Sequence, residues 1–237
     1  FKEIPQLIAE CGANILFARG LPLVLYEKPF LQLFQQRHGA DALQVPEADP
    51  RIRQLRAEIM TGFLQEVRRM LDEEAARRKD GRRLALSIFC LADEADNLEY
   101  GLDIRAWAEK KLVDLVMPFQ GAGGGKARAT DLAFFRGVCG PAGIPVKPTF
   151  VAWNTPDLDA LMRRAVEHYD AGADGLTIWD ANSGADRADR WSITSRLGHL
   201  AELRERADEG APSTLCLRFH RLGDMVMDGR YHPDWGF

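Results

Sequence analysis

The 237-residue sequence has no apolar run near the roughly 18 residues that a membrane-crossing helix needs, so no segment is read as spanning a bilayer. It has no marked charge of either sign. Lys and Arg number 31 against 35 Asp and Glu, a net charge of -4, which removes the basic footprint that nucleic acid or an acidic membrane surface would require. The basic runs Arg77-Arg78-Lys79 and Arg82-Arg83 flank a helix end, where they complement its dipole. Cysteine is scarce: Cys11, Cys90, Cys139 and Cys216 contain no CxxC pair. Cys90 and Cys216 sit inside apolar runs and read as small buried hydrophobes. The histidines His38, His168, His199, His220 and His232 show no metal-ligand spacing, so neither a metal nor any other cofactor is expected. No serine lies in a G-x-S-x-G elbow. The glycine run Gly121–Lys126 lacks the P-loop spacing because Ala127 follows the lysine, and it reads as a lid rather than a phosphate cradle. No leader pattern is visible, but the chain begins at Phe1, so its compartment is left open.

What is present is a recurring unit: a short apolar strand, a polar or aromatic turn, then an amphipathic helix. Strands are expected over Ala13–Ala18, Leu84–Leu91, Val113–Phe119, Val146–Trp153 and Ala173–Trp179. Helices are expected over Phe1–Cys11, Pro29–His38, Asp49–Lys79, Ile104–Lys111, Thr130–Val138, Pro156–Ala171 and Arg190–Arg206. The longest of these carries Ile52, Leu55, Ile59, Phe63, Leu64, Val67 and Leu71 on one stripe and begins at an Asp49-Pro50 start signal. Pro148 marks the fourth strand as irregular. Thr214–Tyr231 reads as an extended strand or hairpin, with residues 211–237 forming a C-terminal tail on a single domain that spans residues 1–237.

Alternating strands and helices predict an α/β protein with a parallel sheet, of the (β/α)8 TIM-barrel type and lacking its first strands. In such folds the residues just past the strand carboxyl ends build the site. Glycosidic hydrolysis needs two carboxyl groups there, one donating a proton and one acting as base or nucleophile. The candidates are Asp180, next to the indole of Trp179, with Asp93 or Glu94 as the second group. A solvated acidic loop explains Asp93 and Glu94 as well, and a loop cap explains Asp180. For substrate contact the candidates are Arg19, Tyr26, Glu27, Asn97, Gln120, Trp153, Asn154, Trp179 and Asn182. Aromatic rings suit the apolar face of a sugar, and amides and guanidinium groups suit its hydroxyls. An Arg19–Glu27 ion pair and a helix-starting role for Asn154 are the structural alternatives.

Several segments resemble the glycosyl-hydrolase-like family 10 proteins, a bacterial group of barrel proteins assigned to carbohydrate breakdown. The matching residues are Phe17-Ala18-Arg19-Gly20, Tyr26-Glu27-Lys28-Pro29, Asp49-Pro50-Arg51 and Ala57–Leu71. They continue with Asn97, Tyr100–Trp107, Leu112-Val113-Asp114 and Gly172–Gly175, and more faintly with Arg230–Phe237. The block Gly101–Trp107 with Val113-Asp114 is the most specific. The resemblance implies a barrel entered near its fourth strand and a glycosidase activity. It also brings departures. Relatives carry an Asp where Leu16 stands, and the two glutamates used by the classical xylanases after the fourth and on the seventh strand have no counterpart in this sequence. The expected activity is hydrolysis of a glycosidic bond. The alternatives are a non-catalytic carbohydrate-binding protein and a structural or assembly module. Open sheet edges leave room for a homo-oligomer.

Overall fold

The computed structural model describes residues 13–16, 24–119, 129–151, 158–179 and 196–209. The chain forms two compact units, Phe1–Val146 and Lys147–Phe237.

In the first unit β1 (Ala13–Leu16), β2 (Leu86–Leu91) and β3 (Leu115–Phe119) form a parallel sheet. Ala13 pairs with Leu86 and Leu16 with Phe89, while Ser87 pairs with Leu115 and Leu91 with Phe119. Val116 also bridges to Val146 and donates its amide to the Pro145 carbonyl. Leu86, Ile88 and Cys90 are wholly buried, and burial pushes the Cys90 thiol well above its ordinary value. The inert character read for Cys90 therefore holds, whereas Cys216 lies outside the described residues.

The helices of this unit are α1 (Lys28–His38), α2 (Pro50–Arg77), α3 (Glu94–Glu99), α4 (Ile104–Glu109) and α5 (Leu132–Cys139). Gly39, at φ 62, stops α1 in the left-handed region that glycine tolerates. Asp49 caps α2 by accepting the Arg51 amide, and Pro50 takes the first helical position, as the sequence signal predicts. Phe30 and Phe34 of α1 pack on Ile52 and Leu55 of α2, and Trp107 of α4 is fully buried with its indole N–H donated to Thr61. Asp114, just before β3, accepts from Arg68 at 3.0 Å, from Arg83 at 2.8 Å and from the Leu86 amide at 2.8 Å. It anchors α2 to the amino ends of β2 and β3, a structural task at the end of the sheet opposite the strand carboxyl termini.

The second unit contains β4 (Thr149–Val151), α6 (Leu158–Asp170), β5 (Thr177–Trp179) and α7 (Leu200–Glu209), with β4 and β5 paired in parallel. The fourth strand starts only after Pro148, because proline has no amide to give to a ladder. Leu161, Met162 and Ala165 of α6 close a small core with Leu197 and Leu203. The Tyr169 hydroxyl donates to the Leu197 carbonyl.

Desolvation, with the nearby Arg164 adding to it, pushes His168 of α6 down to about 4. Its ordinary value is 6.5, so the unfolded chain binds the extra proton first as pH falls. Stability is therefore present above pH 6.5 and is lost progressively down to about pH 4. The ring is partly exposed, so solvent screening limits the loss to about 1–2 kcal/mol. Urea unfolding of the wild type and of His168→Gln at pH 7 and pH 4.5 checks this: the wild type should lose stability relative to the variant at the lower pH.

The expected (β/α)8 barrel is corrected by these findings. Closure needs eight tilted strands, each paired on both sides. The described residues supply a three-stranded parallel sheet in one unit and a two-stranded pair in the other. The strand–helix alternation specifies parallel pairing through helical crossovers and carries no information about closure. The helix expected over Phe1–Cys11 and the tail over residues 211–237 lie outside the described residues.

Candidate functional site

The carboxyl end of β2 is the strand end that the described residues show in most detail. Ala92 leaves the sheet, Asp93 turns the chain, and Glu94 opens α3. The acidic stretch that reads as a loop is a helix because Asp93 is its N-cap, accepting the Asp96 amide at 2.8 Å, and Glu94 and Asp96 complement the positive end of the dipole.

Asn97, on α3, is completely buried. Its Oδ1 accepts the Leu91 amide at 3.0 Å, while its Nδ2 donates to the Leu91 carbonyl at 3.1 Å and to the Asp93 carbonyl at 2.7 Å. A side-chain amide that reads both backbone groups of one strand residue acts as a clip between strand end and helix. It has no polar atom left for a ligand.

Glu94 receives two hydrogen bonds from Arg105 of α4, from Nε at 2.5 Å and from Nη2 at 3.0 Å. The hydrogen bonds first and the charge second hold its carboxyl below the ordinary glutamate value. The Arg105 guanidinium also lies 5.1 Å from the centre of the Phe134 ring on α5. Asp131, which caps α5, donates its amide to the Ala92 carbonyl. The turn after β2 is thus tied to α3, α4 and α5 together.

Tyr26 and Glu27 have different partners. Glu27 precedes α1 and accepts the Leu25 amide at 3.0 Å. The Tyr26 hydroxyl bonds to Glu47, and the Arg56 guanidinium, which pairs with the same Glu47, lies 5.4 Å from the Tyr26 ring centre and 6.0 Å from that of Phe30. Burial works to raise the Glu47 carboxyl, but the hydrogen bonds from Tyr26 and Arg56 outweigh it and leave it below its ordinary value. Arg56 is 1% exposed, so this trio fastens the start of α1 onto α2.

Of the residues expected to form one site, Asp93, Glu94 and Asn97 come together at the β2 end, Tyr26 joins the α1–α2 contact, and Glu27 stays in the turn that opens α1. Trp179 is the last residue of β5. Arg19, Gln120, Trp153, Asn154, Asp180 and Asn182 lie outside the described residues. Among the described residues no cluster of His, Cys, Asp and Glu could hold a metal ion, and no helix is long and apolar enough to cross a membrane.

Sequence reasoning missed a groove of about 670 Å³ between α2 and the α3–α4 segment. Its signal was available: Arg53, Ala57, Thr61 and Gln65 recur at helical spacing on α2, beside the apolar stripe and offset from it. No family model and no curated protein matches the chain.

Proposed function

We propose that this chain binds carbohydrate without cleaving it. The carbohydrate class comes from the resemblance of the Gly101–Trp107 and Val113-Asp114 block. The absence of cleavage is supported chiefly by the engagement of both carboxyl groups at the β2 end. Asp93 caps α3, and Glu94 is held at two points by Arg105. Hydrolysis needs one carboxyl that keeps its proton at working pH and a second that reaches the sugar. A carboxylate hydrogen-bonded to arginine and held below its ordinary value is a poor proton donor.

One observation favours hydrolysis as the second reading. The ionised state that Arg105 imposes on Glu94 is the state a base or nucleophile uses, which would leave the proton to Asp180. Incubation with a panel of soluble polysaccharides, followed by reducing-end release and by affinity electrophoresis, separates the two. Retarded migration without release is the expected result. Release that falls by orders of magnitude in both Glu94→Gln and Asp180→Asn would establish hydrolysis instead.

A further inference from the structure

We infer that the groove between α2 and α3–α4 is a binding site for the carboxylate of an acidic saccharide, a uronide. The inference goes beyond the proposed function by adding a site on the helical face, and it takes its ligand class from that reading.

Two cations define the groove. Arg53 lines it from α2, and its Nε is enclosed with no hydrogen-bond partner. Lys110 lines it from the residue after α4. Among the described residues neither cation has an ion-pair partner.

The two acids in the same wall are already engaged. Glu58 pairs with Arg37 and accepts from Gln54 at 3.1 Å, and Asp103 caps α4 by accepting the Ala106 amide at 3.0 Å. Two cations without acid partners on one groove leave their charge to an incoming carboxylate, whose hydrogen bonds to them would be charge-assisted. Arginine's planar fork matches a carboxylate at two points, and the Lys110 ammonium adds charge without directional demand.

The remaining lining suits the body of a sugar. Gln65 offers its amide to hydroxyls and Gln54, whose nitrogen is given to Glu58, its carbonyl oxygen, while Ala57, Leu98 and Ala106 give a low apolar floor for the C–H face of the ring. The side chain that supports this wall is itself fixed, because Thr61 accepts the indole N–H of the buried Trp107 at 2.9 Å. A volume of about 670 Å³ lies inside the range usual for small-ligand sites, which run from about 300 to 1,000 Å³.

The test is isothermal titration of the whole protein with digalacturonic acid and with neutral α-1,4-galactobiose. The variants are Arg53→Gln and Lys110→Gln, and side-chain amide shifts of Gln54 and Gln65 are followed by NMR. Lys110 is exposed, so its replacement leaves folding intact even if Arg53→Gln does not. The uronide should bind at least about tenfold more tightly than the neutral disaccharide, each variant should remove most of that difference, and the Gln54 and Gln65 signals should move. Uronide binding that neither variant weakens would overturn the groove while leaving the carbohydrate reading standing. Failure of both saccharides to bind, with the variants folded, would overturn both.

Discussion

Replacing Asn97 with alanine is expected to destabilise the first unit by about 3–4 kcal/mol, the largest effect in the β2 turn. Three hydrogen bonds disappear at once, and the Leu91 amide, the Leu91 carbonyl and the Asp93 carbonyl lose their side-chain partner. The Asp93 carbonyl keeps the backbone amide of residue 97, so the cost falls chiefly on Leu91: a buried polar group left without its partner costs about 1–3 kcal/mol, and the lost packing of a fully buried side chain adds to it. Thermal unfolding should shift down by about 10 °C. Asn97→Asp separates the clip from mere volume. Aspartate can still accept from the Leu91 amide but cannot donate to the two carbonyls, and its charge would be buried. Burial raises its folded value above the unfolded one, so that variant should be least impaired in acid and should lose further stability as pH rises past about 4. An Asn97→Ala protein that melts with the wild type would show that the amide is dispensable to the fold.

Gly101→Ala should cost nearly as much, about 3 kcal/mol, for a different reason. Gly101 has φ +77, a conformation that other residues adopt only with strain. An added Cβ would stand 2.8 Å from the Cβ of Arg56 and 3.0 Å from its carbonyl carbon. Neither atom can swing away, since both belong to the rigid part of a residue in the middle of α2, and Arg56 itself is buried against Tyr26 and Phe30. The substitution must therefore push the α3–α4 turn off α2. That turn also walls the groove, so a folded remnant of Gly101→Ala should lose the uronide binding as well as stability. Differential scanning calorimetry of the variant beside Gly143→Ala sorts the two contributions. Gly143, at φ 72 with open space around it, carries the conformational strain without the collision and should cost about 1 kcal/mol.

The fold was legible where the chain repeats a local rule. The apolar runs before Leu91 and Phe119 are strands because both faces are covered, and the Asp49-Pro50 signal starts a helix where it should. Closure of a barrel was not legible, because hydrophobic runs specify that a strand pairs and leave the number of neighbours unstated. The polar segment 94–99 hid its helix. Six residues with only Ala95 and Leu98 apolar are too few to establish a period, and the Asp93 cap and the acidic first turn mark the helix instead.

Asn97 was chosen as a sugar contact on chemistry alone. Its role depends on reaching back six residues to Leu91, a distance set by the tightness of the strand–helix turn. Glu94 carried no sign of Arg105, eleven residues on, because two short helices must fold back on each other before the pair exists. The α2 wall of the groove shows in the spacing of Arg53, Ala57, Thr61 and Gln65, whereas its opposite wall was hidden for the same reason as the Glu94–Arg105 pair. Arg53 and Lys110 lie far apart in sequence and meet only because Gly101 lets the α3–α4 segment approach α2.

The claim that Arg105 keeps Glu94 ionised, and so unable to act as proton donor, is tested most directly by titration of the Glu94 carboxyl carbon, followed by NMR in the wild type and in Arg105→Gln. A midpoint below the ordinary glutamate value of 4.5 is expected in the wild type, with a rise when Arg105 is removed. A wild-type midpoint above 4.5, in the range of about 6–7 that a proton-donating carboxyl needs, would contradict it and return Glu94 to catalysis.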